Sequence, residues 1–205
     1  MTLLTQTELS RVSDAIAAVE AQTDAELVTV LARQADDYRY IPTLWAALLA
    51  LVSPGVFLIT PFWLDVSDLL LLQLVTFITL ALLLRMPTVL RRIIPKSVKQ
   101  WRAANMARRC FLENNLHHTK GESGLLIFVA ETERYVEILA DRGITRHIDS
   151  TRWQAIVDEF TAKLHDKQTL EGFLGAISQC GDILIEHLPA TEQKNELPDH
   201  LIIID

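Results

Sequence analysis

The sequence is constrained most by its central stretch, residues 41–84, in which Asp65 and Asp68 are the only charged residues. The apolar segments on either side of this pair are typical of two membrane-spanning helices joined by a short acidic connection. The alternative is a pair of buried helices in a soluble bundle. Such helices normally keep one polar stripe, and neither segment has one, so the pattern favours the membrane.

The two apolar segments differ in length. Residues 41–62 would form a helix of about 33 Å, which is enough to cross a hydrocarbon core of about 30 Å. Residues 69–84 would reach only about 24 Å, so the second helix must include Val66 and Ser67 or thin the bilayer locally. Pro54 would damage a soluble helix, whereas in a membrane the carbonyl that it leaves free can be satisfied locally or by a neighbouring helix.

Charge is distributed asymmetrically around the apolar stretch. The connection carries only acidic side chains, while eight basic residues follow the second segment before the first acidic residue, Glu113. By the positive-inside rule we expect two spans with both ends of the chain in the cytosol. Five of the basic residues are predicted to contact anionic lipid head groups, the alternative being a solvated helix face: Arg85, Arg91, Arg92, Lys96 and Lys99.

Net charge and cysteine content narrow the range of functions. The formal net charge of −7 argues against general nucleic-acid binding, which needs a basic surface to displace counterions from phosphates. Cys110 and Cys180 show no ligand or disulfide spacing, so they are interpreted as small apolar side chains in a reducing compartment. The first residues lack the basic and apolar regions of a secretory signal, and we expect this N-terminus to remain in the cytosol.

The sequence outside the apolar stretch predicts one α/β domain. The predicted strands are residues 25–32, 125–130 and 135–140, of which the last two form an antiparallel hairpin. The predicted helices begin at residue 6, near Pro95, behind Asp149 and near Leu170. Thr5 and Glu8 mark the first of these helices because they have the spacing of a capping box.

Three segments are therefore predicted along the chain. Residues 1–40 form the first part of the cytosolic domain, and residues 41–86 form a transmembrane helical hairpin inserted into it. Residues 87–205 begin with the basic juxtamembrane segment and contain the remainder of the domain.

Several motifs outside the hairpin resemble the TPM domain family. They are GLLIFVAETERYVEILADRGI at residues 124–144, Trp153, the apolar helix that ends in IEHLPA, and NELPD at residues 195–199. The Asp-Arg-Gly sequence, together with the hairpin before it, is the most specific piece. The resemblance implies an α/β sandwich of a short mixed sheet with helices on both sides. It further implies a bacterial member held in the inner membrane by the inserted hairpin.

The resemblance also implies two kinds of function. Some members look like assembly or maintenance factors for membrane complexes, which predicts a non-enzymatic accessory protein that binds lipid and another, LemA-like, membrane protein. Other members are described as phosphatases or bind divalent ions, so the alternative is a metal-dependent phosphatase acting near the membrane. This sequence lacks the signal peptide and the early Asp-containing motif of the secreted relatives, which weakens the transfer of the metal site and of the phosphatase activity.

Three aspartates are the candidate ligands for a divalent cation such as Ca²⁺ or Mg²⁺. Asp141 matches the family motif, and a carboxylate at a strand end followed by glycine can reach an ion because glycine lets backbone carbonyls approach. Asp149 and Asp158 are further candidates nearby. The other interpretation of Asp141 is a turn residue that pairs with Arg142 or lies at a helix terminus.

Overall fold

The computed structural model describes residues 4–58, 65–119, 121–191 and 201–204. The chain divides into two compact units: an α/β unit, Met1–Ala35 with Gln100–Asp205, and a helical unit, Asp36–Lys99. The end of the first predicted span, residues 59–62, and the NELPD motif lie outside the described residues. The predicted boundaries of the hairpin, residues 41–86, concern a bilayer and stay a prediction.

The described residues form four strands and eight α-helices. In chain order these are α1 (Gln6–Glu20), β1 (Glu26–Ala32), α2 (Tyr40–Leu58), α3 (Val66–Leu84), α4 (Pro87–Ile93), α5 (Lys96–Glu113), β2 (Gly124–Ala130), β3 (Tyr135–Ala140), α6 (Arg142–Thr145), α7 (Ser150–His165), α8 (Thr169–His187) and β4 (Leu201–Ile204). A short 3₁₀ helix, Leu116–His118, precedes β2. The strands and helices predicted for the α/β unit are confirmed, and α4, α6 and β4 are additional.

The four strands form one mixed sheet in the order β3, β2, β1, β4. β1 runs parallel to both β2 and β4, whereas β2 and β3 are antiparallel, with Ala130 opposite Tyr135. Residues 131–134 form the turn that joins this pair, so the predicted hairpin is confirmed. The parallel strands are joined through long connections that carry helices, as parallel pairing requires.

Helices cover both faces of the sheet, which confirms the predicted sandwich. On one face Leu27 and its neighbours pack against α1, α7 and α8, where the rings of Phe160 and Phe173 meet edge to face with centroids 4.9 Å apart. On the other face the alternate side chains, such as Val30 and Phe128, pack against α5. Every residue of β1 and β2 is buried, because successive side chains of a strand point to opposite faces and both faces are covered.

Helix starts in the α/β unit follow the sequence signals. The Thr5 hydroxyl accepts from the backbone N–H of Glu8, while the Glu8 carboxylate accepts from the backbone N–H of Thr5 at 2.7 Å. Asp149 caps α7 by accepting from the backbone N–H of Thr151 at 3.1 Å. These caps satisfy N–H groups that have no partner inside the helix, and they fix where each helix begins.

Candidate functional site

The helical unit exposes its apolar side chains. On α2, Leu44 and Leu51 are 57% and 68% exposed, and on α3, Leu70 and Leu82 are 62% and 64% exposed. None of the side chains of α3 is buried. Monomeric soluble proteins rarely expose contiguous apolar surface of this kind. The helical unit is therefore distinguished by apolar side chains that its own folding does not bury.

α3 is the one helix among the described residues that is long and apolar enough to cross a membrane. It begins at Val66, so it includes the two residues that the second apolar segment needed for its length. α2 is a shorter apolar helix over its described side chains, Tyr40–Val56. Length and composition alone are weak evidence, since the core helix of a soluble protein passes the same test, but a core helix is buried and α3 is not. The described residues thus contain one exposed helix that is long enough to span a membrane.

α2 packs against α3 within the helical unit. Ala46 and Ala50, one turn apart on α2, are buried, while Leu48 and Leu49 beside them are exposed. A shallow groove between the two helices is lined by Ala47, Ala50, Leu70, Gln73, Leu74 and Phe77. Small side chains let two helix backbones approach closely, and this is how helices associate in lipid, where no hydrophobic force draws them together.

Pro54 lies inside α2, and the carbonyl that it would leave free has another donor. Because proline has no backbone N–H, the carbonyl of Ala50, four residues earlier, loses its helical partner. The hydroxyl of Ser53 donates to this carbonyl at 2.8 Å. An unsatisfied carbonyl is costly in hydrocarbon, so this local hydrogen bond makes a proline-containing helix compatible with lipid.

The five basic residues predicted to contact lipid follow α3 along the chain. Arg85 is the C-cap of α3, Arg91 and Arg92 lie in α4, and Lys96 and Lys99 lie in the first turn of α5. The side chains of Arg85, Arg92 and Lys96 are exposed, and that of Lys99 is half-buried. Positive charge at a helix N-terminus opposes the helix dipole, and α5 has no acidic residue in its first turn to offset it. An anion near the start of α5 would stabilise this arrangement.

Asp141, Asp149 and Asp158 have separate local partners. Asp141 is the N-cap of α6, and its Oδ1 accepts from the backbone N–H of Arg142 at 2.7 Å. Asp149 caps α7, and Asp158 on the same helix accepts from the side-chain amide of Gln154 at 2.8 Å. Asp149 and Asp158 are separated by about 13 Å of helical rise, which is too far for both to bind one ion.

The predicted metal site offers a divalent cation one carboxylate oxygen that has no hydrogen-bond partner among the described residues. Oδ2 of Asp141 is buried and has no hydrogen-bond partner among the described residues. Ca²⁺ takes about six to eight oxygen ligands. Over the ranges that the structure describes, no three His, Cys, Asp or Glu side chains form a group that could hold a metal. The donor set of Asp141, Asp149 and Asp158 does not fit a shared ion, and metal binding by these residues stays a prediction.

The glycine of the Asp-Arg-Gly motif allows two backbone segments to meet. The N–H of Gly143 donates to the carbonyl of Glu122 at 2.8 Å, and a Cβ on Gly143 would collide with the carbonyl oxygen of Gly121. Glu122 also forms an ion pair with Arg146 at 3.3 Å. The motif therefore fastens the loop before β2 onto α6, which is a structural role for residues that resemble the family.

A half-buried pair on β3, which sequence reasoning missed, faces the same side of the sheet as α5. The hydroxyl of Tyr135 donates to Oε2 of Glu137 at 3.0 Å. Burial raises the pKa of the Glu137 carboxyl, while the hydrogen bond from Tyr135 and the charge of Arg108 act to lower it. Burial also raises the pKa of the Tyr135 hydroxyl. The alternation of the YVEILA strand places both residues on one face and could have indicated the pair.

The fold and the exposed helix together define an α/β sandwich protein that carries an apolar helical unit. The sequence model of the TPM domain matches residues 90–183, a segment that includes α5, β2, β3, α6 and α7. The chain thus contains a TPM domain, and the resemblance inferred from its motifs is confirmed.

One solved structure shows the same fold over nearly the whole chain. The chain is similar to the NMR structure of the BA42 protein from the psychrophilic bacterium Bizionia argentinensis, with a TM-score of 0.60 and 16% sequence identity, over 98% of this chain and 94% of that chain. At this identity the likeness concerns the fold alone. No curated protein matches the sequence.

Proposed function

We propose that this chain is a membrane-anchored TPM-domain protein that acts as a non-enzymatic binding or assembly factor for another membrane protein. The exposed apolar surface of α2 and α3 carries the proposal, because it would be a liability in water and is satisfied by lipid. The anchor consists of two spans in a bacterial inner membrane. Both termini and the α/β unit lie in the cytosol.

The proposed topology is supported by charge. Asp65 and Asp68 stand before and in the first turn of α3, and basic residues follow its other end, beginning with Arg85. Basic loops stay in the cytosol, so the end of α3 at Arg85 is cytosolic and the end at Asp65 faces outward. Lipid phosphates near the start of α5 would also offset the unfavourable placement of Lys96 and Lys99 against the helix dipole.

A binding role is supported by what the family motif does in this chain. Asp141 starts a helix and Gly143 lets a loop approach, so both residues build the fold around the sheet. The partner that we propose is a membrane protein of the LemA-like kind, by analogy with the family. Lipid head groups are the second partner, through Arg85, Arg91, Arg92, Lys96 and Lys99.

The alternative function is a divalent-metal-dependent phosphatase that acts near the membrane. Its one structural support is the buried oxygen Oδ2 of Asp141, which has no hydrogen-bond partner among the residues that are described. Phosphoryl transfer of this type rests on metal ions that neutralise developing charge. Hydrolysis of a generic phosphate ester by the purified chain, with and without Mg²⁺ or Ca²⁺, tests this alternative. Activity that is lost in Asp141→Asn and kept in Asp158→Asn would support the phosphatase and contradict the non-enzymatic role.

The accessory role predicts a specific protein neighbour in membranes. A photo-crosslinking residue placed at exposed positions of the α/β unit, such as Glu171 on α8, should recover one protein reproducibly from intact membranes. Detergent-solubilised extract treated in the same way is the control for non-specific capture. Recovery of no specific protein from any exposed position would remove the main support for the accessory role.

The topology is tested with single cysteines and an impermeant thiol reagent on intact cells. Ser67→Cys, at the start of α3, should be labelled, and Glu171→Cys should be labelled only after the cells are opened. Cys110 and Cys180 are buried, so the parent chain gives the background. Labelling of Glu171→Cys on intact cells contradicts the proposed orientation.

A further inference from the structure

The α/β unit exposes few large apolar side chains, and two of them share one face of α5. In the described part of this unit they are Trp101, Leu112 and Ile203. Positions 108 and 112 follow position 101 by about two and three helical turns, so all three lie on one face of α5. Trp101 is 58% exposed, Leu112 is 56% exposed, and Arg108 between them is exposed. These three residues are named the α5 stripe.

Packing under α5 holds the α5 stripe outward. The opposite face of the helix buries Ala103, Met106, Ala107 and Cys110 against the sheet. Turning α5 to bury Trp101 would expose these side chains and the strand residues that they cover. The exposure of the α5 stripe is therefore a property of the folded unit.

Charge around the α5 stripe is positive. α5 itself carries five of the 19 Lys and Arg residues of the chain, Lys96, Lys99, Arg102, Arg108 and Arg109, and one of its 26 Asp and Glu residues, Glu113. Two acidic groups interact with arginines of α5: Glu113 pairs with Arg109 at 3.5 Å, and Glu137 lies near Arg108, although burial raises the pKa of its carboxyl overall. Because the chain as a whole carries −7, the remaining sequence is strongly acidic. An anionic surface would attract α5 more than the rest of the chain.

We propose that the α5 stripe docks on the surface of a bilayer that contains anionic lipid. Trp101 matches the interfacial region, where an amphipathic ring is favoured. Arg108 pairs with lipid phosphate, and Leu112 enters the acyl boundary. The inference rests on the proposed membrane anchor, and it assigns α5 as the part of the α/β unit that touches lipid.

The test uses the full chain in nanodiscs of phosphatidylcholine alone or of phosphatidylcholine with phosphatidylglycerol. A polarity-sensitive fluorophore on Leu112→Cys reports docking by a blue shift and by quenching from nitroxide-labelled lipid. The parent chain, with Cys110 and Cys180 buried, gives the labelling background. Ala155→Cys, at an exposed position of α7 in the layer on the other face of the sheet, is the matched control.

The α5 stripe predicts quenching at position 112 that depends on phosphatidylglycerol and no quenching at position 155. Arg108→Gln should lower the docking equilibrium about fivefold, the effect of one basic charge near an anionic surface. Arg11→Gln, an equal change of charge on the exposed face of α1, should leave it unchanged. Trp101→Ala should lower docking in both lipid mixtures.

Three results would overturn the inference. The first is quenching at position 112 that is the same with and without phosphatidylglycerol. The second is equal quenching at positions 112 and 155. The third is shielding of position 112 in native membranes but in no nanodisc, which would assign the stripe to a protein partner. A chain that does not enter nanodiscs at all contradicts the anchor, whereas a chain that enters them with position 112 unquenched contradicts the docking of the stripe alone.

Discussion

The α/β unit buries most of its apolar side chains, whereas the helical unit exposes many of its own. In the α/β unit β1 and β2 are buried along their whole length, and Phe160 and Phe173 meet in the core. In the helical unit α3 buries none of its side chains, although it too consists mainly of apolar residues. Apolar residues are therefore abundant in both units, and the units differ in whether those residues are exposed.

What distinguishes the two units is where polar residues occur along a helix. α1, α7 and α8 each carry one apolar face against the sheet and polar side chains elsewhere, as a helix between core and water must. α3 has no charged residue after Asp68, and its polar side chains there are only Gln73, Thr76 and Thr79. The positions of charged residues, more than the number of apolar residues, decide whether a helix suits water or lipid.

The largest effect is expected from removing a core ring of the α/β unit. Phe173→Ala leaves a cavity beside Phe160 and should lower the free energy of unfolding by about 3–5 kcal/mol. Urea unfolding in mild detergent, followed by tryptophan fluorescence, measures this loss. Leu82→Ala on α3, where the side chain is 64% exposed, should cost less than about 1 kcal/mol in the same measurement. Equal losses would erase the distinction between the two units.

A charge on the exposed face of α3 should be costly, although the position is on the surface. Val75, near the middle of α3, is 52% exposed, and Val75→Asp should oppose membrane insertion by about 2.5–3.5 kcal/mol. The measured quantity is the share of protein in the membrane fraction after expression. Ala155→Asp at an exposed position of α7 is the control and should change nothing. If Val75→Asp were harmless, water would be the solvent of α3.

The Ser53 hydroxyl should matter more in lipid than a surface serine does in water. Ser53→Ala leaves the Ala50 carbonyl without its donor and should lower thermal stability in nanodiscs by about 1 kcal/mol. Ser53→Thr keeps a hydroxyl and should retain most of that stability. If Ser53→Thr lowered thermal stability as much as Ser53→Ala does, the hydrogen bond from the hydroxyl would not be the cause of the loss.

The smallest effect concerns Glu137 in the α/β unit and depends on pH. Because burial raises the folded-state pKa of this carboxyl above its ordinary value of 4.5, its contribution to stability is greatest below that value and is lost as the pH rises through the folded pKa. Glu137→Gln keeps an acceptor for Tyr135 and should raise the free energy of unfolding at pH 7 by less than about 1 kcal/mol. Unfolding curves at pH 4 and pH 7 test this, with Glu171→Gln as the control. If Glu137→Gln raised the free energy of unfolding more at pH 4 than at pH 7, the upward direction of the Glu137 pKa shift would be contradicted.

Local signals predicted most of the α/β unit. The capping box at Thr5, the Asp149 cap and the hairpin 125–140 each depend on residues close together in sequence, so the pattern was sufficient. β4 was missed because a four-residue strand gains its place only by pairing with β1, far away in the chain. α6 was missed because one helical turn depends on the Asp141 cap and on the contact of Gly143 with the loop at Gly121.

The candidate sites divide in the same way. The apolar surface of α3 could be predicted because hydrophobicity over a window is a local property. The partners of Asp141 could not be, since a carboxylate at a strand end is equally suited to a cap or to an ion until its neighbours are placed. The alternation of β3 could have placed Tyr135 and Glu137 on one face of the sheet, but the sequence does not show that α5 covers this face and half-buries the pair.

The central claim is that lipid is the solvent of the helical unit, and fractionation after cell lysis tests it most directly. Cells are opened without detergent, membranes are collected by ultracentrifugation and washed at alkaline pH, and the chain is detected in each fraction. The account predicts that the chain stays in the washed membrane pellet and is released only by detergent. Recovery of the folded chain in the detergent-free supernatant would contradict it.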